Sequence, residues 1–300
     1  MSLSRPVRFP LLKLPFLCIK CVLHNWDDFV LICFATFSKR ARRVVKYSSL
    51  SMEEINIIAN RNRQISIGDA TAYTEIRKTW HFKHGRRAVN GEFVLQRGSK
   101  TLRTCRGYHR DRGHYLESYT TGATLDALKL GVDIMINVFG FTDKYVFYLE
   151  IPADFYCDPR VFKSRQMYFS LKGSADWVTV EILCQFDVGQ LFFSYHRFSE
   201  EDIVAYITYW FNSGNRKLEW IQFAFNWPSY GNFNIDHLNP MPFCQTRRNG
   251  LSFVNVWQHT DMSSGKDILR KDGLLATFLL KPSSVQFFVW HQRFPDPVQQ

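Results

Sequence analysis

The sequence predicts an α+β chain, α/β in its middle part. A small three-helix module comes first, then a mixed domain with leucine-rich-like βα repeats and a C-terminal antiparallel meander. Three observations carry this prediction. Apolar residues recur at helical spacing between Leu14 and Val45. Apolar strand-like runs begin at Tyr145, Met167, Leu191 and Leu218, at offsets of 22, 24 and 27 residues, inside the ~20–29 residue range of leucine-rich-type repeats. Near the end, Asp272-Gly273 divides one apolar run, Asp267–Leu280, into two strands. The segments expected are 9–46 (helical module), 50–130 (β-rich), 131–291 (βα repeats and meander) and 292–300 (tail).

In the first module, Pro15 suits a helix start because its missing N–H has no intrahelical partner there. Phe16, Ile19, Val22, Leu23 and Trp26 then follow at helical spacing. Asp27 and Asp28 are placed to cap a second helix, Phe29–Thr36, accepting orphan N–H groups and opposing its dipole. Ser38 caps a third, Lys39–Lys46. Leu17, Cys18 and Cys21 make the first helix apolar off its main face as well, and the second helix has no polar face beyond its cap. About 40 residues cannot bury that much apolar surface alone, so a partner from this chain or another is required.

Residues 50–130 are rich in Thr, Tyr, Val, Gly and Arg. Glu92–Gly98 and Thr101–Tyr108 read as two strands around Gly98-Ser99-Lys100. The best helix of the later part is Glu200–Asn212: Ser199 and Asp202 form a capping box, Ile203, Tyr206, Ile207, Trp210 and Phe211 line one face, and Gly214 stops it. Asp272-Gly273 tolerates the positive φ angles of a tight hairpin turn. Lys281-Pro282-Ser283-Ser284 turns the chain again, and Val285–His291 supplies the last apolar strand.

Composition narrows the function. The 300 residues are 46 % hydrophobic and 22 % charged, which describes a folded chain with a sizeable core. Seven cysteines scattered from Cys18 to Cys244 suggest reduced thiols, hence the cytoplasm, the nucleus or both. No secretory leader is expected, because Pro10, Lys13, Pro15 and Lys20 interrupt the apolar start. No membrane span is expected either, since the run Phe29–Phe37 is about half of the ~20 residues that a bilayer requires.

Net charge is +11, and it is uneven: residues 1–130 hold 23 Lys and Arg against 10 Asp and Glu, residues 131–300 hold 15 against 17. Within the basic stretch 83–112, Arg86, Arg87, Arg97, Lys100, Arg103, Arg106 and Arg110 are interleaved with Phe93 and Tyr108. Phosphates would suit such a patch. A solvated β face suits it better, as no nucleic-acid-binding motif frames it, and nucleic acid is not an expected partner. Lys39–Arg43 reads as the exposed face of the third helix rather than an import signal.

Cys18-x-x-Cys21 with His24 invites a zinc or redox reading. A structural zinc site needs four ligands and the only further candidate nearby is Cys33, while a redox pair belongs at a helix N-terminus beside a βαβ unit. The cysteines are expected to pack as small hydrophobes, with no metal and no cofactor. His109-Arg110-Asp111 lacks the asparagine that a kinase catalytic loop carries five residues on, where Leu116 stands. Phosphate-cradling, dinucleotide, His-Glu-x-x-His and Gly-x-Ser-x-Gly motifs are absent from the sequence, so no enzyme chemistry is expected.

The stretch Phe9–Lys46 resembles the F-box of the large nematode F-box families. The resemblance lies in Phe9-Pro10-Leu11-Leu12, Leu14-Pro15, Val22-Leu23, the aspartates before Phe29, Phe37-Ser38-Lys39-Arg40, and Val44-Val45-Lys46. It departs at Cys21, where relatives often carry a charge, and at Trp26, where they carry an aliphatic residue. At the far end, Arg270–Thr277 and Phe287–His291 look like the ending of the type 2 F-box-associated domain. The resemblance implies a non-catalytic substrate receptor. Its F-box would bind the Skp-type adaptor protein and through it a cullin of a RING ubiquitin ligase, and its associated domain would hold an unknown target protein. The adaptor contact is then expected to draw on Leu14, Pro15, Ile19, Val22, Leu23, Leu31 and Ile32, some burying against the adaptor and the rest holding the module together. The alternative is a basic nucleic-acid-binding module without a ligase role.

Overall fold

A computed structural model describes residues 11–48, 50, 52–59, 63–68, 78–86, 92–110, 113–148, 151–152, 155–225, 233–244, 247, 252–254 and 259–291. The chain is α+β and divides into two compact units, Met1–Glu53 with Asn62–Thr142, and Glu54–Arg61 with Asp143–Gln300. These units cut the chain elsewhere than the segments 9–46, 50–130 and 131–291 do. The N-terminal helices share a unit with the β-rich stretch, and the next helix belongs there too.

In the first unit a 3-10 turn, Leu11–Lys13, leads into α1 (Phe16–His24), α2 (Asp28–Phe37) and α3 (Lys39–Tyr47). The caps act as their residue types dictate. The Asp27 carboxylate accepts from the Phe29 amide at 2.9 Å, and the Ser38 hydroxyl accepts from the Ala41 amide at 3.0 Å. Strand β1 (Met52–Ile58) begins in this unit and lies mostly in the second. Strands β2 (Gln64–Ile67), β3 (Lys78–His84), β4 (Phe93–Arg97), β5 (Lys100–His109) and β6 (Gly113–Thr120) follow in the order β2-β3-β6-β5-β4. β3 and β6 are parallel and the other pairs antiparallel. The β4–β5 hairpin pairs Arg97 with Lys100, so its loop is Gly98-Ser99, one residue shorter than expected, with Gly98 at φ 61°.

Helix α4 (Thr124–Phe139) packs on β2, β3 and β6, and α2 and α3 pack on α4. A Cβ at Gly131 would stand 2.3 Å from Cζ of Phe82, so glycine there is what lets the helix approach the sheet. Beneath it the Trp80 indole donates to Ser118 at 2.8 Å, and Ser118 shares a 2.7 Å hydrogen bond with Thr104, so this buried polar row is satisfied.

The second unit carries β7 (Thr142–Tyr148), β8 (Lys163–Phe169), a single helical turn α5 (Val180–Leu183), β9 (Asp187–Phe193), α6 (Glu200–Asn212) and β10 (Trp220–Ala224). β11 (Met241–Pro242), β12 (Ser252–Val254), β13 (His259–Asp261), β14 (Lys266–Leu269), β15 (Leu275–Lys281) and β16 (Ser284–Trp290) complete it. Its sheet runs β1-β7-β8-β9-β10-β16-β15-β14-β11, and β12 pairs separately with β13. β8, β9 and β10 are parallel, with helical crossovers between them, and β10, β16, β15 and β14 are successively antiparallel.

Register explains the repeat. Phe169, Phe193 and Phe223 occupy matching positions on β8, β9 and β10. With Phe147 on β7 they stack as a ladder, ring centroids 5.0, 4.5 and 5.3 Å apart and nearly parallel. On the opposite face Tyr168, Phe192, Trp220 and Phe288 form a second row at 5.5, 6.1 and 6.2 Å. Offset aromatic stacking adds to the area buried, so aromatics projecting from both faces of β8, β9 and β10 lock neighbouring strands on both faces.

The last hairpin differs in detail from the expected tight turn. Leu269 pairs with Leu275, Arg270 donates to the Leu274 carbonyl, and Gly273 donates to the Arg270 carbonyl. Gly273 alone is left-handed, at φ 84°, while Asp272 is not. This is a three-residue loop with a glycine bulge. Asp272 instead accepts from Arg270 and Arg216, whose guanidinium groups, Arg270 first, hold its carboxyl well below the usual range.

Candidate partner-docking surface

The seven residues proposed for the adaptor contact separate by burial. Leu23 and Ile32 are wholly buried, Leu31 and Ile19 nearly so, Leu14 and Val22 are half-buried, and Pro15 is exposed. The first four hold the module together, so they are not free for a partner as the unit stands. Helices α2 and α3 meet α4, and α2 also meets β4 and β6, which supplies from within the unit much of the cover the sequence demanded.

What stays uncovered is the off-face side of α1. Leu17 is 74 % exposed, Phe16 is 43 % exposed, and Cys18 and Cys21 are exposed beside them. Phe37 at the end of α2 and Tyr47 at the end of α3 are also largely exposed. Leu17, Cys18 and Cys21 were legible as surplus apolar positions. Phe16 shares the helical spacing of Ile19 and Leu23 yet is exposed, and Phe37 and Tyr47 carry no periodic signal because they end their helices.

The cysteine expectation needs a correction. Cys105 and Cys157 are buried as small hydrophobes, but Cys18 and Cys21 are not, because α1 turns only its Ile19 and Leu23 side to the rest of the unit. Cys33, half-buried on α2, has its thiol pushed up to about 11 by burial. Among the described residues no group of three or more His, Cys, Asp or Glu is placed to hold a metal ion. No helix among them is long and apolar enough to cross a membrane.

Ion pairs fix the module's N-terminal corner. The Lys78 ammonium lies 2.5 Å from Asp28 and 3.6 Å from Asp27, and Arg106 lies 3.8 Å from Asp27. Arg40 reaches back to the Leu12 carbonyl at 2.8 Å, tying α3 to the turn before α1. Lys39, Arg40 and Arg43 are exposed on α3, whose Ala41 and Val45 point inward, as an amphipathic reading requires.

Four basic residues of the stretch 83–112 lie beside carboxylates. Lys83 pairs with Glu117, Arg97 with Asp133 at 2.8 Å, Arg103 with Glu92, and Arg106 with Asp27. Burial pushes the Glu117 carboxyl up, but Lys83 and the Tyr119 hydroxyl outweigh it and hold it below its ordinary value. Arg87 and Asp111 lie outside the described residues, as does the tail 292–300.

Comparison with known proteins agrees with the resemblance seen in the sequence. The F-box associated family matches residues 160–223, the span that holds β8, α5, β9, α6 and most of β10. The match therefore falls on the βα repeat rather than on the two ends that suggested the family. The uncharacterized Caenorhabditis elegans proteins F59B2.8 and F59B2.9 are 31 % and 30 % identical to the chain over 137 and 131 residues. Each alignment covers 41 % of this chain and 30 % of the relative. The chain thus spans under a third of the length of the curated relatives that it matches. No solved structure matches it. The chain is thus similar to the F-box associated family over residues 160–223 and, over part of its length, to two nematode proteins.

Proposed function

We propose that the chain is a non-catalytic substrate-recognition subunit of a cullin-RING ubiquitin ligase. Its N-terminal helices would dock to a Skp-type adaptor, and the F-box-associated region would hold a target protein. The observation that carries this reading is the exposed apolar side of α1. Phe16, Leu17, Cys18 and Cys21 stand out of a module whose other α1 anchors, Ile19 and Leu23, are already buried. Surface of this kind, flanked by polar Lys13 and Lys20, is what a partner helix covers. Leu14, Pro15 and Val22, not fully buried, extend the same contact, while Ile19, Leu23, Leu31 and Ile32 support it from below. Assembly with a cullin would place the protein in the cytoplasm, the nucleus or both.

The test is a pull-down of purified Skp-type adaptor by the full chain and by Leu17→Asp with Cys21→Asp. The substitutions set unpaired charge into a dry contact and should cost binding several kcal/mol, while leaving circular dichroism and the melting temperature unchanged. A folded variant that still binds at full affinity would remove α1 from the interface. The nucleic-acid alternative is disfavoured by the ion pairing of Lys83, Arg97, Arg103 and Arg106.

A further inference from the structure

The thiols of α1 carry chemistry that an apolar contact does not use. All seven cysteines are among the described residues: Cys18 and Cys21 are exposed, Cys33, Cys184 and Cys244 are half-buried, and Cys105 and Cys157 are buried. Burial pushes the Cys33 and Cys184 thiols up to about 11, which keeps them protonated and unreactive. A thiol-reactive molecule in solution therefore meets Cys18 and Cys21 first. Three residues apart on one helix, they are surface neighbours, with Cβ atoms about 5–6 Å apart. They belong to no group of three or more metal ligands among the described residues, which leaves the chemistry of a dithiol.

A disulfide needs its Cβ atoms about 3.5–4.5 Å apart, so a bridge here requires roughly 1–2 Å of local movement. The start of α1 can supply it. Cys18 is the third residue of the helix, whose first intrahelical hydrogen bond runs from the Ile19 amide to the Pro15 carbonyl at 3.1 Å. The amides of Phe16, Leu17 and Cys18 thus have no acceptor inside the helix, and Pro15 offers no side-chain cap. Phe16, Leu17 and Cys18 are all exposed, and Ile19 is the first buried side chain of α1. Drawing Cys18 toward Cys21 therefore disturbs no packed side chain before Ile19, and it carries Phe16 and Leu17 with it. Cys18 has the helix N-terminus that a redox pair favours, without the βαβ unit of a catalytic one.

We propose that Cys18 and Cys21 close a reversible intramolecular disulfide that switches off docking through α1. The oxidant is a small-molecule disulfide such as that of glutathione. One cysteine thiolate attacks it, forming a mixed disulfide and releasing one thiol. The other cysteine then attacks the first one's sulfur, forming the internal bridge and releasing the second thiol. Two electrons pass from the cysteine pair to the oxidant's S–S bond, and the two cysteine protons end on the released thiols. A bridge that is exposed and distorts a helical turn is easily reduced, so a thiol reductant reopens it. Control of docking rests on α1 being the adaptor contact, whereas formation of the bridge does not.

The test incubates the full chain with glutathione disulfide and reads intact mass, peptide map and adaptor capture, before and after dithiothreitol. The chain should lose two hydrogens rather than gain glutathione, with the bridge mapped between Cys18 and Cys21. It should then capture adaptor about tenfold or more weakly, as displaced anchor residues do. Dithiothreitol should restore both readings. Cys18→Ser and Cys21→Ser should each stop at one bound glutathione, and the double variant should stay unmodified and capture adaptor equally with and without oxidant. Both positions are exposed, so the fold should survive. A chain that carries two glutathiones, cross-links to a second chain or stays reduced would overturn the proposal whatever the adaptor does. A mapped bridge with unchanged capture would overturn the switch. Failure of the reduced chain to capture adaptor, with the bridge still formed, would overturn the docking reading and the control of docking while upholding the dithiol site.

Discussion

Helices α1 and α6 carry the same apolar spacing and end differently. In α6 four of the five stripe residues, Ile203, Tyr206, Ile207 and Trp210, are buried, Phe211 is half-buried, and Trp210 lies edge-on to Phe287 at 4.9 Å and under the Arg270 guanidinium at 4.7 Å. In α1 only Ile19 and Leu23 are buried, and Phe16, Leu17, Cys18 and Cys21 remain in solvent. The lesson is about surplus. A helix with one apolar stripe is satisfied by one neighbour, and a helix with two needs a second one that its own unit does not supply.

The largest expected effect breaks the satisfied side. Trp210→Ala should cost about 3–5 kcal/mol, because it empties a packed site and strips Arg270 of its ring contact; a denaturant melt reads it. Within α1 the two stripes should separate cleanly. Leu23→Ala should cost about 2–5 kcal/mol of stability. Leu17→Ala should stay within about 0.5 kcal/mol in the same melt while weakening adaptor capture. Equal stability losses for the two would mean that α1 is covered on both sides.

A pH experiment sharpens the other half of the comparison. His196, after β9, lies among the rings of Phe198, Phe223 and Phe225, and burial pushes its imidazole down to about 4. Its folded pKa is below the unfolded value, so between roughly pH 6.5 and 4 only the unfolded chain takes up the proton. Stability should therefore fall as pH falls through that window and level off below it. Relative to His196→Phe, the native chain should lose up to about 3 kcal/mol on going from pH 7 to pH 4. Parallel pH profiles for the two would show that the ring is solvated. A modest effect is expected at the start of α6. Ser199 accepts from the Asp202 amide at 3.1 Å and Asp202 accepts from the Ser199 amide at 2.9 Å, so Ser199→Ala should cost about 1 kcal/mol in the melt.

Much of the local structure was legible because it is decided locally. The caps at Asp27, Ser38 and Ser199, the turn at Gly98 (though not its two-residue length) and the spacing of α6 follow from side-chain hydrogen bonding and glycine's freedom at positive φ, both of which a short stretch of sequence reveals. The apolar runs from Tyr145, Met167, Leu191 and Leu218 mark the places of β7 to β10, although these strands start at Thr142, Lys163, Asp187 and Trp220. Their stacking was not legible, since nothing in one strand says which of two adjacent aromatics faces its neighbour's.

The candidate docking set shows the same division. By itself the sequence determined that the first 40 or so residues carry more apolar surface than three short helices can bury, because that is a count of side chains against module size. Which of those side chains are spent inside and which are left over was decided only by tertiary packing. Helices α2 and α3 turn inward onto α4, taking Leu31, Ile32, Ala41 and Val45 with them, and α1 is left with one side against the unit and one without. The ion pairs of the basic stretch are equally non-local: Arg97 meets Asp133 and Lys83 meets Glu117 across more than 30 residues of sequence. Charge along a chain can be read from its sequence, but which charges cancel depends on which strands and helices become neighbours.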